Sequence, residues 1–313
     1  MSAMNTRQAQ VIDPILSTHA RGYTNQEFIA HRVLPFADIP DRSMKVIRFG
    51  KDSFRRYMDT RRAPGAQTKR VQFGYASDPV ALTQEALEAL VPDEVGSSAA
   101  RVPGINLAQI STNAVQDIIA LGREVEVATL VRNPAIYDAN HKVALAGTDK
   151  WSDPDSDPAA DVTAGREAVR RSIGRYPNKM TIGPDVRNAL SRHPKITERF
   201  KYTSSESITE AMLAKYFDLD EVIVGKAVAL PETAPDTAQA EDVWGKDALL
   251  HYTAGNSFMI PSYGYIYRLS GYPLVEQPYY ERGNKSWVYP VTEEYRPYVT
   301  GAEGGFLFQG AAE

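Results

Sequence analysis

Residues 43–75 read SMKVIRFGKDSFRRYMDTRRAPGAQTKRVQFGY, and this stretch decides the architecture. Two runs of strand-forming residues, 44–49 and 70–75, flank Arg61-Arg62-Ala63-Pro64-Gly65-Ala66, whose composition suits a turn. The reading is a long two-stranded arm. Its cations are Lys45, Arg48, Lys51, Arg55, Arg56, Arg61, Arg62, Lys69 and Arg70, against only Asp52 and Asp59. An isolated hairpin is marginally stable in water, so an arm of this length needs a surface to lie on.

A complement follows directly along the chain. Glu85, Glu88, Asp93 and Glu94 make an acidic patch on the segment leading out of the arm. Basic arm and acidic patch can pair between copies of one chain. Single exposed pairs contribute only about 0–1 kcal/mol, so the bias of the whole segment carries the argument, not any one arginine.

Further out, residues 106–132 predict the clearest helix. Leu107, Ile110, Ala114, Ile118, Leu121, Val125 and Ala128 recur at three- and four-residue steps and are expected to form its apolar stripe. Asn106 is placed to cap the start, and Asn133-Pro134 ends the run. At 1.5 Å per residue the rod spans roughly 40 Å. Upstream, residues 1–40 are punctuated by Pro14, Pro35 and Pro40 and read as an extended arm, with one short helix signal at Thr24-Asn25-Gln26-Glu27.

Beyond the rod, residues 161–228 alternate helix and strand signals. Helices are expected at 163–173, ending near Gly174, at 184–191 and at 209–217, with strands at 179–182 and 221–224. Residues 249–308 are rich in tyrosine and poor in helix signals, which predicts antiparallel β structure. The fold class is therefore α+β.

Bulk properties narrow the function. The chain has 313 residues, 24% charged and 43% in the AVILMFWYC set, the composition of a globular protein with room for a core and a second lobe. It has no cysteine, which excludes disulfides and thiolate metal sites. No basic region followed by an apolar run opens the chain, and no apolar stretch is long enough to cross a bilayer, so no membrane association is expected. A net charge of -4 opposes wide neutralisation of phosphates, so tight nucleic-acid binding by the whole surface is not expected.

Catalytic signatures are missing. Val224-Gly225-Lys226-Ala227 and Trp244-Gly245-Lys246-Asp247 lack the glycine-rich turn and the Ser or Thr of a phosphate loop. Gly301-Ala302-Glu303-Gly304-Gly305 reads as a turn. The five histidines, His19, His31, His141, His193 and His251, show no metal-protease spacing. Asp153, Asp155 and Asp157 alternate as in a calcium loop, but Pro158 stands at the sharp-turn position and Ala164 where a bidentate glutamate belongs, so that reading is rejected. The expectation is a non-enzyme with no cofactor and no metal.

The stretch Gly174-Arg175-Tyr176-Pro177-Asn178-Lys179-Met180-Thr181-Ile182-Gly183-Pro184-Asp185-Val186, with Ala189-Leu190 and His193-Pro194-Lys195-Ile196, resembles tailed-phage major capsid proteins of the Hong Kong 97-type fold. Phe200-Lys201-Tyr202-Thr203, Ile208-Thr209-Glu210 and Glu221-Val222-Ile223-Val224-Gly225-Lys226-Ala227 look like the same family's next helix and strand. The resemblance implies an N-terminal arm (1–40), an extended loop with its exit strand (41–98), and a spine helix beginning a peripheral domain (99–145). An axial domain (146–252), peripheral return strands (253–295) and a last strand segment returning to the axial domain (296–313) complete the order.

On that resemblance the chain is expected to self-assemble into pentamers and hexamers of an icosahedral bacteriophage head, a shell enclosing double-stranded DNA without sequence-specific binding. Its partners would be further copies of itself and a portal protein, with either a separate scaffolding or decoration protein or none, since no long scaffold-like helix precedes the arm. It would reside in the virion, after assembly in the host cytoplasm. An encapsulin-type nanocompartment shell of the same fold, and a cytoplasmic α/β enzyme with an unrecognised site, are the rival readings.

Overall fold

The computed structural model describes residues 12–47, 61–65, 67–68, 77–99, 106–200, 208–235, 237–255 and 262–313. The long helix α4 (Leu107–Arg132) is where the sequence puts it, and the Asn106 side chain accepts the backbone N–H of Gln109 at 3.3 Å. Its orientation is not as expected. Of the predicted stripe only Ala128 is buried; Ile110, Ile118 and Val125 are 53%, 59% and 37% exposed. The buried face carries Thr112, Val115, Ile119, Glu124, Val127, Ala128 and Val131. Thr112 is tolerated inside because its hydroxyl donates to the carbonyl of Ala108 at 2.7 Å. Apolar periodicity finds an apolar face, and this helix has two.

The body that α4 packs on is a six-stranded sheet built around β14 (Ser286–Tyr298). Along one side β14 pairs antiparallel with β4 (Thr83–Pro92), from Ser286 opposite Pro92 to Tyr295 opposite Thr83. Its other side takes β11 (Tyr265–Leu269), β12 (Leu274–Val275) and β13 (Tyr279–Glu281), while β1 (Phe36–Ile39) pairs parallel with β11. Val291 and Tyr295 of β14 join Val115, Ile119 and Val127 of α4 in one core. Full burial of each such aliphatic side chain contributes about 1.5–3 kcal/mol.

Within the expected extended arm, helices occur instead. α1 (Pro14–Gly22) is started by Asp13, whose carboxylate accepts from the N–H groups of Ile15 and Leu16, both at 2.9 Å, with proline at the first turn. α2 (Ala30–Val33) follows. Thr24-Asn25-Gln26-Glu27 is a turn, because the Asn25 side chain takes the N–H of Glu27 at 3.0 Å and no capping box forms. Residues 1–11 lie outside the described residues.

A second sheet has five strands in the order β5 (Lys142–Ala144), β15 (Gly305–Gln309), β10 (Ala248–His251), β6 (Lys179–Ile182) and β7 (Glu221–Val224). Helices α5 (Pro158–Ile173), α6 (Pro184–Arg192), α7 (Pro194–Phe200) and α8 (Glu210–Tyr216) accompany it, α5 ending at Gly174 with φ 70°. One face of the sheet, with Met180, Ile182, Leu250 and Phe308, packs on these helices; Ile223, Leu249 and Leu307 pack towards α4 and the arm. Both predicted strands of this region have the observed bounds. β5, upstream of residue 146, already belongs to this sheet.

Lys195 sits in the aspartate loop, donating to the carbonyls of Asp155 at 2.9 Å and Ser156 at 2.6 Å, with the Asp157 carboxylate 3.9 Å away. The ammonium group thus ties this loop to the start of α7. His251, fully buried, satisfies both ring nitrogens on Thr181 at 3.0 Å and Thr253 at 2.8 Å. Burial holds its pKa down at about 3, so it is a neutral core residue.

Candidate assembly surface

The base of the basic arm is folded onto its own body. β2 (Ser43–Ile47) pairs antiparallel with β3 (Ser77–Ala81), Ser43 opposite Ala81 and Ile47 opposite Ser77. Val46 and Val80 are buried there against Ile39, Tyr265 and Tyr267. Next to it, Arg42 grips Glu294 of β14 with two N–H···O bonds of 2.8 Å each, and Tyr272 donates to the same carboxylate at 3.0 Å. The Arg42 guanidinium holds the Glu294 carboxyl below the usual carboxylate range. The arm therefore starts from a fixed mouth.

Of the predicted arm cations, Lys45, Arg61 and Arg62 are described and all three are exposed. Arg62 reaches the Thr68 hydroxyl at 3.3 Å across a turn at Pro64-Gly65, where Gly65 has φ 83°. Arg48, Lys51, Arg55, Arg56, Lys69 and Arg70, and the expected strand 70–75, lie outside the described residues. The first expected strand, 44–49, is met by β2 as far as residue 47.

The predicted acidic residues lie along β4, which pairs with β14, and just past its end, with Glu85 and Glu88 on opposite faces of the strand. Glu85 and Glu88 are on β4, and Asp93 and Glu94 open α3 (Asp93–Ala99), where negative charge suits the exposed N–H groups of a helix start. Glu85, Glu88 and Glu94 are exposed and Asp93 is half-buried. Two tyrosines of β13 hold the set: Tyr279 donates to Glu88 at 3.2 Å, and Tyr280 to Asp93 at 2.6 Å. Glu85 stands opposite Glu293 in the ladder, and Arg123 of α4 relieves that like-charge pair by binding Glu293 at 2.7 Å.

Sequence reasoning missed the apolar half of this surface. Leu87, Leu90, Val95, Tyr279, Tyr280 and Trp287 are all exposed beside those carboxylates, and Tyr280 meets Trp287 edge-on at 5.6 Å. Ile110, Ile118 and Val125 add a second exposed apolar line on α4. The signal was present as an excess of apolar residues over what two faces can bury. Among the described residues no group of three or more His, Asp or Glu side chains is arranged to hold a metal ion. No helix there is long and apolar enough to cross a membrane.

The mixed α+β body is a fold found among phage capsid proteins. The chain superimposes with a TM-score of 0.83, at 42% identity, on a phage-related protein from Bordetella bronchiseptica, covering 97% of this chain and 99% of that one. It matches the mature capsid subunit of bacteriophage PhiM1 with a TM-score of 0.53 at 13% identity, over 92% and 88% of the two chains, a likeness of fold alone.

Residues 137–266 match the family described as Phage major capsid protein E. The major capsid protein of Burkholderia phage BcepMu is 33% identical over 308 residues, 96% of this chain and 97% of that protein. The chain belongs to the phage major capsid protein family. It is a structural subunit of the virion shell, and relatives along its full length favour that over the encapsulin and enzyme readings.

Proposed function

We propose that the chain builds an icosahedral head of pentamers and hexamers around double-stranded DNA by laying its basic arm on the acidic, aromatic surface of a neighbouring copy. The layout follows the Hong Kong 97 plan: the five-stranded domain lies axially, and α4 with the six-stranded sheet lies peripherally. Lys45, Arg48, Lys51, Arg55, Arg56, Arg61, Arg62, Lys69 and Arg70 face Glu85, Glu88, Asp93 and Glu94 across the contact.

The observation that carries the reading is the placement of the two surfaces in one chain. The arm leaves a mouth fixed by Arg42 and Glu294, while Glu88, Asp93 and Glu94 lie beyond Leu82, on the other side of that mouth along the chain. A second copy meets both. Each contact is weak, but a subunit held at several interfaces is retained by avidity.

A portal protein at one vertex and a separate scaffolding or decoration protein complete the partner set, with assembly in the host cytoplasm and no catalytic role. DNA is enclosed without sequence-specific contacts, consistent with the net charge of -4. Reversing charge at Arg55, Arg56, Arg61 and Arg62 together tests the reading: folded subunits without closed shells are expected in negative-stain micrographs. Normal particles would overturn it.

A further inference from the structure

The five-stranded domain carries two unused, oppositely charged surfaces at opposite ends of its sheet. β6 and β7 run parallel, with Lys179 beside Glu221 at one end and Ile182 beside Val224 at the other. From the second end the chain leaves as a hairpin, β8 (Val228–Ala229) pairing with β9 (Glu241–Asp242), and returns to β10 at Ala248, opposite Ile182. Residues 231–242 include Glu232, Asp236, Glu241 and Asp242, with no Lys or Arg. Glu232, Glu241 and Asp242 are exposed and enter no salt bridge among the described residues; Val228 and Leu230 are 50% and 47% exposed.

Around the first end, before β6 begins, lies an arginine cluster. Arg166 and Arg170 flank the exposed ring of Tyr176 at 5.1 Å and 5.6 Å, and each has a carboxylate partner, Asp218 and Glu167. Arg171 and Arg175 are exposed and form no salt bridge among the described residues, Arg175 instead binding the Tyr252 hydroxyl at 2.6 Å. Arg171 is left with only the shared charge of Glu167, and Arg175 lies over the Tyr252 ring at 5.3 Å with no carboxylate bound among the described residues. That chemistry suits a partner offering carboxylates with aliphatic side chains between them, and the β8–β9 hairpin offers both.

We infer that the β8–β9 hairpin of one copy docks on the Arg171, Arg175 and Tyr176 surface of the next, an inference that rests on the shell-subunit reading. The sheet lies between the two surfaces within one chain, so they meet only between copies. The contact is heterologous, head to tail, and contacts of that type close into rings when the rotation permits. The hairpin thereby supplies the ring contact of pentamers and hexamers, separate from the basic arm.

The chain has no cysteine, which permits a direct test. Full-length protein carrying Glu241→Cys and Arg171→Cys, treated with a short bis-maleimide cross-linker, is expected to give a ladder of covalent oligomers in denaturing gels. Each single-cysteine variant would stop at the monomer or dimer. Absence of the ladder from assembled particles overturns the inference. In parallel, Glu241→Arg with Asp242→Arg should abolish rings in native mass spectrometry, and adding Arg171→Glu with Arg175→Glu should restore them. Wild-type chain that never assembles would sink the shell reading itself; reversed variants that assemble like wild type would sink only the hairpin contact.

Discussion

The indole N–H of Trp244 donates to the carboxylate of Glu124 at 2.6 Å, joining the spine helix to the loop that leads into β10. The same carboxylate accepts the backbone N–H groups of Ile29 at 3.0 Å and Ala30 at 2.7 Å, so it also starts α2. Three parts of the chain meet on one buried side chain. Two turns further along α4, Arg132 holds the same loop through Asp247 at 2.8 Å and the carbonyl of Val243 at 3.0 Å.

Glu124→Ala should lower the stability of the unassembled subunit by about 1–3 kcal/mol or more, because three buried donors lose their acceptor. Urea denaturation read by tryptophan fluorescence measures it, with Trp244 as a local reporter.

The pH dependence has a definite sign. Burial pushes the Glu124 carboxyl above its usual range, against the opposing hydrogen bonds from Ile29, Trp244 and Ala30. A carboxyl whose folded pKa is raised costs stability when ionised, and that cost disappears as pH falls through the folded value. Wild type should therefore gain stability relative to Glu124→Gln on acidification from neutral pH. A difference independent of pH would contradict the assignment.

At Gly183 and Gly225 an added Cβ would force a neighbour to shift. A Cβ on Gly183 would lie 1.8 Å from the Gly245 carbonyl oxygen, and one on Gly225 would lie 2.0 Å from the Trp244 ring. Gly183→Ala meets backbone, which cannot swing aside, and should yield insoluble chain. Gly225→Ala should fold with a loss of about 1–3 kcal/mol, read as a lowered melting temperature.

The true buried face of α4 can be checked with adjacent residues. Ile119 is 5% exposed and Ile118 is 59% exposed. In the unassembled subunit Ile119→Ala should cost about 2–5 kcal/mol. Ile118→Ser should stay within about 0.5 kcal/mol. Equal effects would show that the helix is turned differently.

Arg42→Ala frees the mouth of the basic arm without touching its core of Val46 and Val80. Faster amide hydrogen exchange is expected in 43–47 and 77–81, with 179–182 unchanged. The Glu294 carboxyl, held low by Arg42, adds stability above its unfolded pKa that is lost as pH falls through the folded one. The exchange difference should shrink on acidification.

Local chemistry was legible in the chain wherever one residue type has few structural uses. Asn106 and Asn133-Pro134 bounded α4, Gly174 ended α5, and the short apolar runs 179–182 and 221–224 were strands as read. The Asp13-Pro14 start of α1 is equally local, but the prolines spaced through residues 1–40 mask it by favouring an extended reading. The candidate surface was half legible, since charge can be counted in sequence while exposed Leu90, Tyr280 and Trp287 look like core residues.

The sequence by itself determined the bounds of α4, β6 and β7, the Asn106 and Gly174 caps and the charge contrast between arm and patch, because each depends on neighbours a few residues apart. Only the tertiary structure decided which face of α4 is buried, that β4 lies along β14, and that Glu124 is paired inside. Those outcomes depend on contacts across some 95 to 210 residues of chain, such as Glu124 to Ile29 and Glu85 to Glu293. A helix with two apolar faces carries no local signal for choosing between them.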